Sequence, residues 1–152
     1  MAGLGSEEEG TMPISYTVHA EGHFIHAIAT SPLTSEEFVD YEVAHAIDVR
    51  IKPPVSELFE ISAGALQHIT MDDMREVLRR RSTLKQLPLP HRCAIALVFA
   101  GDLSWNLAKF YEGMVMLHSP ETVIVFANAD IARTWLGFED PKPNKPDAGD
   151  GK

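Results

Sequence analysis

The sequence predicts a single-domain α/β sandwich, with a mixed, mostly parallel sheet of about five strands and about four helices in the order ββαβαβαβα. Three observations predict it. Short β-rich runs alternate with longer stretches of helical period, which implies parallel strands joined by right-handed crossovers. The run "RCAIALVFA" from Arg92 is almost unbroken apolar, as expected of a strand covered on both faces. The first two β-rich runs are separated only by a glycine-bearing turn, so the chain opens on a hairpin.

Each element has its own signal. "ISYTVHA" from Ile14 and "FIHAIAT" from Phe24 are β-branched and aromatic and meet at "EGH". Thr34 with Glu37 three residues on fits a capping box, and the helix it opens runs to about Val49 with Val39, Val43, Ala46 and Ile47 on one stripe. "KPP" stops it. "VSELFEISA" from Val55 is the third strand. Thr70 opens the second helix, with Asp72 and Asp73 in the first turn where the helix dipole favours negative charge. Met74, Val77, Leu78 and Leu84 form its inner face, and "LPLP" breaks it. After the apolar strand, Asp102 or Ser104 starts a third long helix to about Leu117. "ETVIVFA" is the last strand, and Asn128 caps a short final helix. Residues 1–12 and 139–152, rich in Gly, Pro and charge, read as disordered tails around a domain at 13–138.

Composition excludes several functions. The formal net charge is -9, against the basic face that nucleic-acid binding needs. No apolar run approaches the roughly 20 residues of a membrane span. "MAGLGSEEEG" has neither a basic start nor an apolar stretch and is not expected to be a secretory signal. The lone cysteine, Cys93, allows no internal disulfide and reads as a buried small hydrophobe. The expectation is a cytoplasmic protein without a cofactor.

"HAEGHFIH" places three of the seven histidines within eight residues. If His23 and His26 share the second strand, they point to opposite faces by strand parity. A turn at Glu21-Gly22 pairs His19 with Phe24 and puts His26 diagonally on that same face. At most two ligands then converge, fewer than zinc sites use, so no metal is assigned. No G-x-S-x-G, P-loop or H-E-x-x-H motif is present, so no catalytic residue is assigned. Glu60 and His68 are placed to meet at the end of the third strand, too small a set to name a reaction.

The hairpin, "LTSEEF", the step "GDLSW" from Gly101 to Trp105, and "VIVFANADIARTWLG" with Phe126, Trp135 and Leu136 together resemble the SpoIIAA-like STAS family over about Ile14 to Phe138. The resemblance implies a small α/β fold, akin to anti-sigma-factor antagonists and, more distantly, to lipid-carrying Sec14-type domains. In the antagonists a serine at the start of the second helix is phosphorylated. Here Glu60-Ile61-Ser62 falls on the family's "DLS" and Thr70 on that serine, while His68 and Met71 replace the neighbouring aspartate and glycine. The phosphorylation motif is therefore not intact. Thr70 also fits an ordinary N-cap, and Asp72 and Asp73 would repel a phosphate there.

Two surfaces are candidates for contact. One is the second helix start with its arginines: His68, Thr70, Asp72, Asp73, Arg75 and Arg79, with Arg80, Arg81 and Lys85 close by. Arginine clusters suit a phosphate-bearing or acidic partner, although Glu76 can pair with Arg80 on the same helix. The other is Trp105 with Met116, on the same side of the third helix as Lys109 and Glu112 and opposite Leu103, Leu107, Phe110, Met114 and Leu117. Trp105, in the first turn, also fits a side chain folded over the preceding loop. The functional expectation is a non-enzymatic binding or regulatory module working through protein contact, a homodimer being one form of it. The alternative is a small apolar ligand or lipid-binding domain, and an unrecognised enzyme is a weaker third.

Overall fold

Strand order follows chain order. In the computed structural model, which describes residues 13–62, 64–83, 92–99, 105–118 and 122–137, five strands form one sheet in the order β1-β2-β3-β4-β5. They are β1 (Ile14–His19), β2 (Phe24–Ala29), β3 (Val55–Ile61), β4 (Arg92–Phe99) and β5 (Thr122–Phe126). β1 pairs antiparallel with β2, and every later neighbour pairs parallel. Four helices are described: α1 (Ser35–Ala46), α2 (Met71–Ser82), α3 (Trp105–His118) and α4 (Ala129–Leu136). The predicted ββαβαβαβα order and mixed sheet are present.

Right-handed crossovers between strands laid down in sequence all return over the same face. α1, α2 and α3 accordingly share one face. Their Phe38, Tyr41, Met74, Val77, Phe110 and Met114 meet Ala27, Phe59, Ile61, Ile95 and Leu97 of the sheet in one core. α4 follows the last strand and is free of that rule. It covers the other face, where Ala132, with Ala129 and Leu136 at its edge, packs on Phe24, Leu58, Ala96 and Val98. β4 is buried from Ile95 to Phe99, matching its apolar run. The Cys93, Trp105 and Arg81 side chains, Leu84, Lys85, Leu103 and the expected tails lie outside the described residues.

The hairpin register is the expected one, with His19 opposite Phe24. Its connection is longer than "EGH" suggests, spanning Ala20 to His23, with positive φ at Ala20 (54°), Glu21 (57°) and Gly22 (101°). Left-handed backbone costs a non-glycine residue about 1–2 kcal/mol. The turn is held against the segment leading into β3: Lys52 N donates to Gly22 O at 2.8 Å, and Ser56 N to His23 O at 3.0 Å. His23 is in the turn, its Nδ1 donating to the Pro54 carbonyl at 3.0 Å.

α1 differs from its expected stripe. It ends at Ala46, and Ile47 and Val49, expected within the helix, are 54% and 87% exposed. Phe38, Tyr41, Glu42 and His45 form the inner face with Val39 and Ala46. Their i, i+3, i+7 spacing is regular, but a glutamate and a histidine occupy two of its places, so a count of apolar residues finds the neighbouring stripe instead. A third polar residue, Glu57, sits on the inward side of β3 and is fully buried. The Tyr41 hydroxyl donates to its Oε2. Glu42 Oε1 lies 3.4 Å from His45 Nε2, and Tyr41 packs edge-on against His45 at 4.9 Å and Tyr16 at 5.8 Å. Tyr16 completes the corner by donating to Asp48 Oδ2 at 2.7 Å. Arg50 grips the same carboxylate through Nε at 2.9 Å and Nη2 at 2.6 Å.

Two predictions follow from this corner of the sheet. A Cβ on Gly22 would lie 2.4 Å from the Arg50 carbonyl oxygen, at a φ that side chains resist. Gly22→Ala should therefore lower the urea-unfolding free energy by more than about 2 kcal/mol. Ala20→Gly, at φ 54°, should be neutral or stabilising by up to about 1 kcal/mol. The second prediction concerns pH. Burial first, then the hydrogen bond and charge of Asp48, push the Tyr16 phenol up to about 12. A raised pKa gives stability that is present below the unfolded value near 10 and is lost as pH rises toward 12. Denaturation across that window should show a steeper loss in the wild type than in Tyr16→Phe, by up to about one proton. Asp48 carries the opposite sign. Arg50's hydrogen bonds hold its carboxyl well below the usual range, so its contribution is present above about pH 4 and is lost as pH falls.

Candidate functional site

Strand parity places His19, His26, Glu60 and Val98 on the face that α4 partly covers. Ile28 pairs with Glu60 across β2 and β3, and His26 with Leu58, so His26 and Glu60 are diagonal neighbours. The geometry uses that diagonal: His26 Nε2 donates to Glu60 Oε2 at 2.7 Å, the carboxylate being an acceptor only. Arg133 of α4 reaches the same oxygen at 3.9 Å and Asp130 at 3.6 Å. His19 stands beside His26, ring centres 6.5 Å apart, and its Nε2 is 2.8 Å from Thr17 Oγ1. The result is a half-exposed polar seam from β1 across the sheet to α4. Two histidines share the face, as expected, but the described residues contain no group of three His, Cys, Asp or Glu able to hold a metal ion.

The seam runs into a groove of about 370 Å3 at the carboxyl ends of the parallel strands, beside the start of α4. In open α/β sheets this is where ligands bind. Ile28, Val98 and Phe99 supply apolar surface, and Glu60, Ser62 and Asn128 supply polar groups. The Ser62 hydroxyl is buried with no hydrogen-bond partner among the described residues. The Asn128 side chain is engaged in capping α4, accepting from Asp130 N at 2.7 Å and Ile131 N at 3.1 Å. On the far side of α4, Trp135 packs on Phe126 with ring centres 5.5 Å apart, and it remains 41% exposed.

A second groove, of about 400 Å3, lies between the start of α2 and α3. Gly113 permits the close helix approach beside it, since a Cβ there would be 2.6 Å from Met74. Thr70, Asp72 and Arg75 line one wall, Lys109 and Glu112 the other. The groove thus joins Thr70, Asp72 and Arg75 of one expected contact surface to Lys109 and Glu112, while Trp105 and Met116 do not line it. Thr70 caps α2 reciprocally: Asp73 N donates to Thr70 Oγ1 at 3.0 Å, and Thr70 N to Asp73 Oδ2 at 2.9 Å. His68 is exposed beside Gln67 and does not meet Glu60, which His26 and Arg133 engage instead. After β3, Ser62 N donates to Ala29 O at 2.9 Å and Ala65 N to Ser62 O at 3.1 Å.

The described arginine side chains of α2, those of Arg75, Arg79 and Arg80, are paired with acids. Arg75 bonds Asp72 at 2.9 Å, Arg79 bonds Glu76 at 2.5 Å, and Arg80 approaches Glu36 at 3.7 Å and Glu76 at 3.9 Å. The Arg79 hydrogen bond, more than its charge, lowers the Glu76 pKa. Met116 is 46% exposed on α3, with Val115 at 38%; Trp105 is the first residue of that helix.

Sequence reasoning missed Arg133 and the His26–Glu60 contact. The signal for the contact was available in strand parity plus a parallel register between β2 and β3. Arg133 carries no such signal, because nothing local shows over which face the last helix folds. Comparison with family models, with curated proteins and with solved structures finds no match for this chain.

Proposed function

We propose that the chain is a non-enzymatic, STAS-type regulatory module of the cytoplasm that works by protein–protein contact through the groove between α2 and α3. The observation that carries this reading is the composition of that groove. Asp72 and Arg75 on one helix face Lys109 and Glu112 on the other, with Thr70 at the end and the exposed Val115 and Met116 further along α3. Mixed charges around apolar surface suit an interface rim, where they set orientation and partner choice more than affinity. Thr70 is exposed and gives the groove a means of switching. A phosphate on Thr70 would compete with the Asp73 carboxylate for the Thr70 amide and draw Arg75 from Asp72.

The lipid-carrier reading has less support. The apolar cavity between β1 and α1, lined by Ile14, Tyr16 and Tyr41, holds only about 70 Å3. Drug-sized ligands use roughly 300 Å3 or more.

A photo-crosslinking residue placed at Ala108 or Lys109 in the native host should trap one and the same protein. A residue at the exposed Asp40 should not. Arg75→Glu should weaken that contact at least fivefold, as loss of a charge-assisted contact does. An adduct of twice the chain's mass would assign the groove to a second copy. Absence of any adduct, or the same adducts at Asp40, would overturn the reading.

A further inference from the structure

The groove at the carboxyl ends of the strands holds a carboxylate that is fixed but not used up. Glu60 Oε2 takes both His26 at 2.7 Å and Arg133 at 3.9 Å, leaving Oε1 without a hydrogen-bond partner among the described residues. Two residues on, the buried Ser62 hydroxyl has no hydrogen-bond partner either. A polar group desolvated without a partner costs free energy that a suitably placed ligand atom would recover. Around these two groups the lining is apolar: Ile28, Val98, Phe99 and Ala129. Ile28 is 39% exposed, an isoleucine side chain facing solvent at the rim.

We propose that this groove binds a small molecule carrying a protonated amine on a compact apolar body. An ionised carboxylate only accepts hydrogen bonds, so the ligand atom at Oε1 is a donor, and an ammonium makes the strongest such bond. His26 and Arg133 set the carboxylate's position before the ligand arrives, which lowers the ordering cost of binding. Rotation of the buried Ser62 side chain toward the groove it lines would give a second polar contact, and the apolar lining takes the body. A volume of about 370 Å3 suits a ligand at the small end of the usual range. The net charge of -9 favours cations over anions at the surface generally. This site shares no residue with the groove between α2 and α3, so it stands or falls separately from the proposal above.

The test is an amide NMR titration of the full chain with 2-phenylethylamine, phenylacetate and 2-phenylethanol, which share a body and differ in the head group. The amine is expected to give saturable shifts at Ile28, Ser62 and Ala129, with phenylacetate at least tenfold weaker. Glu60→Gln should weaken the amine at least tenfold and the alcohol less than twofold; Ser62→Ala should weaken the amine several-fold. No saturable shift with the amine up to its solubility limit, or an acid that binds as well as the amine, would overturn the proposal. If Glu60→Gln does not fold, the amine-over-acid preference and Ser62→Ala still decide it.

Discussion

The handedness of crossovers between parallel strands decides which face of this sheet each connecting helix covers. Because β2 to β5 are laid down in order, crossovers that obey the right-handed rule put three helices on one face of the sheet, where α1, α2 and α3 share a core. The opposite face then has only α4, eight residues long, to cover it. A helix that short packs on Phe24, Leu58, Ala96 and Val98 and leaves part of the face open. The part left open includes Thr17, His19 and His26 of β1 and β2, polar to suit, with the exposed Ile28 beside them. Two histidines of "HAEGHFIH", His19 and His26, are therefore where the fold needs amphipathic residues, on a strand surface that stays wet, while His23 belongs to the turn.

α4 meets three different environments. Ala129, Ala132 and Leu136 face the sheet, Arg133 turns to the polar seam, and Ile131 and Trp135 turn outward, 60% and 41% exposed. Small residues on the inner stripe let the helix lie close to Leu58 and Ala96, which brings Arg133 within reach of Glu60. Position and charge are linked here: the packing that buries Ala132 also orients the carboxylate at the mouth of the groove.

Much of this architecture is legible in the sequence, for physical reasons that differ from element to element. The hairpin register reads correctly because period two leaves few alternatives once the turn is located. The inner face of α3 reads correctly because Leu107, Phe110, Met114 and Leu117 are all apolar at helical spacing, and all are buried. The caps at Thr34, Thr70 and Asn128 read correctly because capping is local chemistry. Long-range contacts of polar groups are less legible. Glu42, His45 and Glu57 are in the core, where glutamate is rare: Tyr41 reaches Glu57 from another element, and Glu42 and His45 lie side by side. Glu60 reads as a partner for His68 when strand ends are considered one at a time. It meets His26 and Arg133 because register and the side chosen by α4 decide the matter.

A sheet of parallel strands sends every strand's carboxyl end into a helix's amino end, so the caps and loops gather along one edge. Thr34, Thr70 and Asn128 all belong to that edge. Leu33 N donates to Ala65 O at 2.8 Å, and Ser62 N to Ala29 O at 2.9 Å, so the chain after β3 is tied to the chain after β2. The same stretch contributes Ser62 to the groove beside α4 and Thr70 to the groove between α2 and α3. The two grooves share no lining residue, yet only seven residues of one connection separate Ser62 from Thr70. Residues in this connection are accordingly constrained from both sides: Ala65 and Leu66 are buried and hold it down, while Gln67 and His68 between the two grooves are exposed. The sequence "HITMDD" draws attention through its cap and its acids, but its position follows from the strand before it, which ends at Glu60, Ile61 and Ser62.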